Sequence, residues 1–169
     1  NLVSHKFGGK LYPINPRATT VGGLPAFPSL AQAPDPIDLA IVIVPAPQAI
    51  AAATDCVNKP VRAVVIITAG FAETGADGKD REIQLRQLFR SAAIPFLGPN
   101  CFGCLNTEPR SGLNATFMTQ PARPGNVAVC TQSGALGLVF PLYLNRAHIG
   151  ISQLVSIGNR AGIGENELL

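Results

Sequence analysis

Three short apolar runs constrain this chain most: Asp38–Val44 (DLAIVIV), Arg62–Thr68 (RAVVIIT) and Asn126–Thr131 (NVAVCT). None alternates cleanly between polar and apolar residues, so each is read as a strand buried on both faces. Turn residues and a helical pattern follow each run, which is the rhythm of a parallel sheet with crossover helices. After Val44, Pro45 and Pro47 fit the first turn of a helix reaching about Asn58, with Ile50 and Val57 on one face. Asp80–Ala93 reads as an amphipathic helix carrying Ile83, Leu85, Leu88 and Phe89. Shorter strands are expected at Lys10–Ile14, Pro95–Leu97 and Ile151–Ile157, and a helix at Ala135–Asn145. Asn1–Phe7 reads as a helix tail and Glu165–Leu169 as a helix start. Gly98–Pro124 is the least regular stretch, as a functional loop or a domain boundary would be. The rhythm restarts near Arg123. A lone β-α-β piece cannot cover its strands, so the second unit is expected to continue past Leu169.

The hydrophobic fraction of 47% against 14% charged excludes disorder. The net charge of +3 is spread without a basic run, which argues against a nucleic-acid groove. No apolar run reaches the roughly 18 residues of a membrane span. Four cysteines, set in or beside apolar runs, read as reduced thiols of a cytoplasmic protein.

Ligands of open α/β sheets sit at the carboxyl ends of the strands. The loops there are Asn15-Pro16-Arg17, Val44 to Pro47, Thr68 to Phe71, Gly98 to Cys101 and Gln132 to Ala135. They are small and rich in backbone N–H groups, with Arg17 as their cation, and suit an elongated anionic ligand. Ser133-Gly134 opens a helix, so it is read either as a phosphate site or as a simple N-cap. The serine lacks the preceding glycine of a nucleophile elbow. Cys101-Phe-Gly-Cys104 is open to three readings: metal, redox pair or structural loop. His5 and His148 lack a local acid partner, and Asn114-Ala-Thr matches a glycosylation sequon by chance. The GNRAGIG stretch does not follow dinucleotide-binding spacing. Gly70–Gly78 is read as a lid or a surface turn.

The phrases YPINP, IDLAIVIVPA, VVIITAGFAETG, FLGPNCFG, GLNATF, PGNVAVCTQSGALG and SIGN occur in this order. Together they resemble NDP-forming acyl-CoA synthetases and, more distantly, the succinyl-CoA synthetase α-subunit. The resemblance implies an α/β fold: a Rossmann-like CoA-binding domain over residues 1–122, lacking its first strand, then the first β-α-β of a flavodoxin-like domain over 123–169. It implies conversion of acyl-CoA, phosphate and NDP to acid, CoA and NTP through acyl phosphate and phosphohistidine. Pro16 and Arg17 would lie near the CoA diphosphate, with Val44 and Pro45 lining the nucleotide groove. Ile67, Thr68 and Ala69, next to Gly70, match a CoA-contacting stretch, with Ala69 in place of an acid. Asn100 and Cys101 would stand by the CoA thiol, and Ser133, Gly134 and Ala135 at a phosphate. No catalytic residue is expected in this stretch. A glycine-rich CoA loop would precede Asn1, and the phosphohistidine, in a GHAG-like phrase, would follow Leu169. ATP or ADP and Mg would sit on an ATP-grasp domain or β-subunit. The implied partners are CoA and a small acyl substrate, in an oligomer. Two other readings stand beside this one: a synthetase-like sensing module fused to a GNAT acetyltransferase, and an NAD(P)-binding oxidoreductase.

Overall fold

The computed structural model describes residues 1–59, 61–110 and 112–168. The elements in chain order are β1 (Thr20–Val21), β2 (Leu24–Pro25), β3 (Leu39–Val42), α1 (Ala46–Asn58), β4 (Ala63–Ile66), α2 (Ala76–Ser91), β5 (Phe96–Leu97), β6 (Gly103–Asn106), β7 (Asn114–Thr116), β8 (Pro124–Thr131), α3 (Gly134–Arg146) and β9 (Ile151–Ser156). Three single-turn 3-10 helices, at Leu30–Gln32, Ala72–Thr74 and Glu165–Glu167, complete the described structure.

Two of the three apolar runs form adjacent parallel strands, but the third lacks the burial on both faces expected of it: β8 has no buried residue, and its Val127 and Cys130 are exposed, because it is the edge strand of its sheet. β3, β4 and β5 form a parallel sheet, pairing Leu39 with Ala63, Val42 with Ile66 and Val65 with Leu97. Both faces of that sheet are covered. Val64 and Ile66 of β4 pack with Ala49, Ala53 and Cys56 of α1 and with Leu85 and Phe89 of α2. The alternate residues Val65 and Ile67 pack with Leu97, Cys101 and Ile157, which extends to Cys104 and Val155 of a second sheet. The second sheet has the order β7-β6-β9-β8. β8 and β9 run parallel, while β6 runs antiparallel to β7 and β9. On its far side Leu105, Ile151 and Leu154 meet Leu144 of α3. The layers are helices, sheet, sheet, helix, an α/β architecture.

Several expectations need correction. The Gly98–Pro124 stretch carries β6 and β7, which join the sheet of β8 and β9. Both are short and built of GCLN and NAT; neighbours rather than propensity hold them in strand form. Lys10–Ile14 forms no strand: Ile14 makes one isolated bridge to Phe27. Asn1–Phe7 is a set of turns, closed by His5 N–H on the Asn1 carbonyl. β1, which no expectation covered, forms a tight hairpin with β2, whose Gly22 and Gly23 have φ of +57° and +79°, as a two-residue turn between strands requires. α2 starts at Ala76, inside the stretch read as lid or turn, and its buried stripe is Gly78, Glu82, Leu85 and Phe89. Ile83 points outward. At the other end, the expected helix start is a 3-10 turn at Glu165–Glu167, with Leu169 outside the described residues. No helix among the described residues is long and apolar enough to cross a membrane.

Candidate functional site

Parallel strands that end together bring their following loops together. Thr68, just past β4, has a buried hydroxyl. It donates to the Val44 carbonyl at 2.8 Å and accepts the Val44 N–H at 3.1 Å. The Asn100 N–H donates to the Thr68 carbonyl at 3.0 Å, and Cys101 Sγ donates to the Ile66 carbonyl at 3.3 Å. Gly70 approaches the start of α1 so closely that a Cβ on it would stand 2.6 Å from the Ala46 Cβ. Val44, Pro45, Thr68, Ala69, Gly70, Asn100 and Cys101 therefore share one rim. Ile67 belongs to the layer beneath, its side chain buried against the second sheet.

Pro16 and Arg17 are exposed. Asn15 shapes their turn: its Oδ1 accepts the Arg17 N–H at 2.9 Å and the Ala18 N–H at 3.0 Å. Asn15 N–H in turn donates to the Phe27 carbonyl. Among the described residues no hydrogen bond runs from this turn to the Thr68 cluster.

Ser133 caps α3, its Oγ accepting the Leu136 N–H at 3.3 Å. Ser133, Gly134 and Ala135 are all exposed. A Cβ on Gly137, one turn into α3, would lie 3.1 Å from the Phe102 ring. Phe102 follows Cys101, and its N–H donates to the buried Ser156 hydroxyl at 2.9 Å. The helix start thus neighbours the loop after β5.

Three polar residues on the same rim were not singled out from the sequence: Glu73, Glu82 and Asn159. Glu73 Oε1 accepts the Gly70 N–H at 2.6 Å and the Phe71 N–H at 3.1 Å. The Gly70 N–H, in one of the loops read as offering backbone N–H groups to a ligand, is therefore engaged in this structure. Asn159 Nδ2 donates to Glu73 Oε2 at 2.5 Å and to Glu82 Oε2 at 2.8 Å. Burial pushes the Glu73 carboxyl upward, but hydrogen bonds from Asn159, Gly70 and Phe71 outweigh it and hold the carboxyl below its ordinary range. The signal for Glu82 was available: it sits on the apolar stripe of α2 with Leu85 and Phe89, where a carboxylate requires partners.

Burial pushes the Cys101 thiol up to about 12 and the Cys104 thiol up to about 11. Both are free thiols, as are Cys56 and Cys130. Protonated thiols, Cys101 buried and Cys104 half-buried, favour the structural-loop reading of this pair. We expect brief iodoacetamide treatment of the native protein near neutral pH to label exposed Cys130 ahead of Cys56, Cys101 and Cys104, read by peptide mapping. Rapid labelling of Cys101 would contradict its burial. Among the described residues no group of three His, Cys, Asp or Glu could hold a metal ion.

Residues 1–107 match the family model described as a CoA binding domain, and residues 124–169 match one described as a succinyl-CoA ligase like flavodoxin domain. An acetate–CoA ligase [ADP-forming] II subunit alpha of Pyrococcus furiosus is 42% identical over 96% of this chain and 35% of its own length. An acetate–CoA ligase [ADP-forming] I of Archaeoglobus fulgidus is 37% identical over 96% of this chain and 24% of its own length. A dinucleotide forming acetyl-coenzyme A synthetase 1 of Ca. Korarchaeum cryptofilum, solved with phosphate and ADP, superposes with a TM-score of 0.92 at 39% identity, over 99% of this chain and 35% of that one. The chain thus spans about a third or less of the length of these relatives. With its first 107 residues, more than half its length, fitting that model, the chain belongs to the CoA binding domain family.

Proposed function

We propose that this chain is the CoA-binding portion of an NDP-forming acid–CoA ligase, which interconverts acyl-CoA, phosphate and NDP with acid, CoA and NTP. The observation that carries the reading is the hydrogen-bonded rim of Val44, Thr68 and Asn100 at the ends of three parallel strands, in a chain matched by a CoA binding domain. In this reading Arg17 and the Pro16 turn face the CoA diphosphate, since an exposed guanidinium is a bidentate phosphate donor. Val44 and Pro45 form the wall of the nucleotide groove, and Ile67 supports Thr68, Ala69 and Gly70 from below. Asn100 and Cys101 stand by the thiol end, where the protonated Cys101 acts as packing and not as a nucleophile. Ser133, Gly134 and Ala135 offer a phosphate the open N–H groups and positive dipole end of α3.

Residues 1–122 would form the CoA domain and 123–169 the start of the flavodoxin-like one. The sheet shared by β6 to β9 would join them. A phosphorylated histidine and an ATP-grasp module carrying the nucleotide and Mg would belong to other parts of the protein or to a partner subunit, in a cytoplasmic oligomer.

Calorimetry of the full-length protein with CoA, acetyl-CoA and NAD tests this. CoA is expected to bind; tight NAD binding without CoA binding would overturn the reading. Arg17→Ala is expected to weaken CoA binding by about 1–3 kcal/mol, the size of a charge-assisted contact. An unchanged affinity removes Arg17 from the site.

A further inference from the structure

We infer that Asn159 is a positioning residue for the CoA site, tying the loops after β4 and β5 and the body of α2 to the loop after β9. The inference rests on the CoA reading above.

The side chain uses its hydrogen-bonding capacity almost fully. Nδ2 has two hydrogens, directed to Glu73 Oε2 at 2.5 Å and Glu82 Oε2 at 2.8 Å. Oδ1 accepts from Asn100 Nδ2 at 3.2 Å. The backbone N–H donates to the Pro99 carbonyl at 2.9 Å. One half-buried residue of the second sheet's last loop thereby holds three separate elements around the first sheet. The preceding Gly158, at φ +54°, would drive a Cβ into the carbonyls of Pro99 and Asn100. That close approach delivers Asn159 to its partners.

Two of those partners bear on the proposed ligand contacts. Asn100 is itself one of them, and Glu73 gathers the N–H groups of Gly70 and Phe71. Glu82 Oε2 also accepts the Ala72 N–H at 3.2 Å. Two carboxylates converge on one amide nitrogen, so removing that donor leaves them facing each other unbridged. The loop carrying Gly70 is then free to move away from Asn100.

The test uses the full-length protein with Asn159→Ala, Asn159→Asp and Glu73→Gln. Asn159→Ala is expected to raise Kd and KM for CoA by about tenfold or more, as loss of hydrogen bonds to charged groups implies. KM for the nucleotide is expected to stay within about twofold, because the nucleotide belongs to another module in this reading. Asn159→Asp places a third carboxyl beside Glu73 and Glu82. The other charges facing it are Arg86 on Glu82 at 3.7 Å, Arg81 on the Gly70 carbonyl, and Arg160, which is paired with Glu165 at 2.8 Å. Its CoA affinity is expected to be poorest near about pH 8 and to recover toward about pH 5, where a protonated carboxyl donates again. Glu73→Gln, on an exposed side chain, tests the clasp from its other end if Asn159→Ala fails to fold; a several-fold rise in KM for CoA supports it.

Reduced stability with unchanged CoA affinity would make Asn159 a purely structural link and overturn the inference. So would an Asn159→Asp affinity that does not change with pH, or an unaltered KM for CoA in Glu73→Gln. If the unsubstituted protein binds no CoA, the functional reading itself falls, and that result is distinct from the others.

Discussion

Phe89→Ala is expected to destabilise the folded chain by about 3–5 kcal/mol, the usual cost of deleting a large core aromatic. Phe89 is 1% exposed and stacks on Phe96 with centroids 4.9 Å apart. It therefore joins α2 to β5, the strand whose following turn carries Asn100. Ile83, on the same helix, is 44% exposed, and Ile83→Ala is expected to cost no more than about 0.5 kcal/mol, as at other surface positions. Denaturant unfolding of both variants gives the comparison. A cost below about 1 kcal/mol for Phe89→Ala would mean that α2 is not packed as described.

That pair also marks how far the sequence was legible. The apolar pattern of α2 names Ile83, Leu85, Leu88 and Phe89, but a helical stripe is wider than a single line, and the pattern does not say which edge turns inward. Glu82 took the inward position that Ile83 was expected to fill, because its carboxylate has Asn159 and the Ala72 N–H to bond. The parallel strands were legible because burial on both faces leaves a continuous apolar signature in β3 and β4. β6 and β7 were not, because their strand form comes from pairing with β9 and with each other. The loops after β3, β4 and β5 followed from the strand positions, but the Asn15–Arg17 loop did not, because Lys10–Ile14 forms no strand. The Glu73–Asn159 contact spans 86 positions, and no local pattern encodes it.

Gly98→Ala should act on stability and ligand binding together, and the reason is steric. Gly98 has φ +94°, and a Cβ there would run into the Ile66 carbonyl and stand 3.2 Å from Cys101 Sγ. Backbone strain alone is worth about 1–3 kcal/mol at such a position. Gly23 gives the control, with φ +79° and nothing within 4 Å of its added Cβ. Gly23→Ala therefore carries the strain without the collision. At Gly98 the collision must push the turn away from the end of β4. It would then stretch the Asn100 N–H bond to Thr68, the Cys101 bond to Ile66 and the Ala161 N–H bond to the Gly98 carbonyl. CoA affinity in Gly98→Ala is expected to fall by about a hundredfold or more, equivalent to about 2.8 kcal/mol. In Gly23→Ala it should hold within about twofold, although stability declines in both. Equal CoA affinities in the two variants would mean that the turn after β5 does not touch the ligand, and would remove Asn100 and Cys101 from the site.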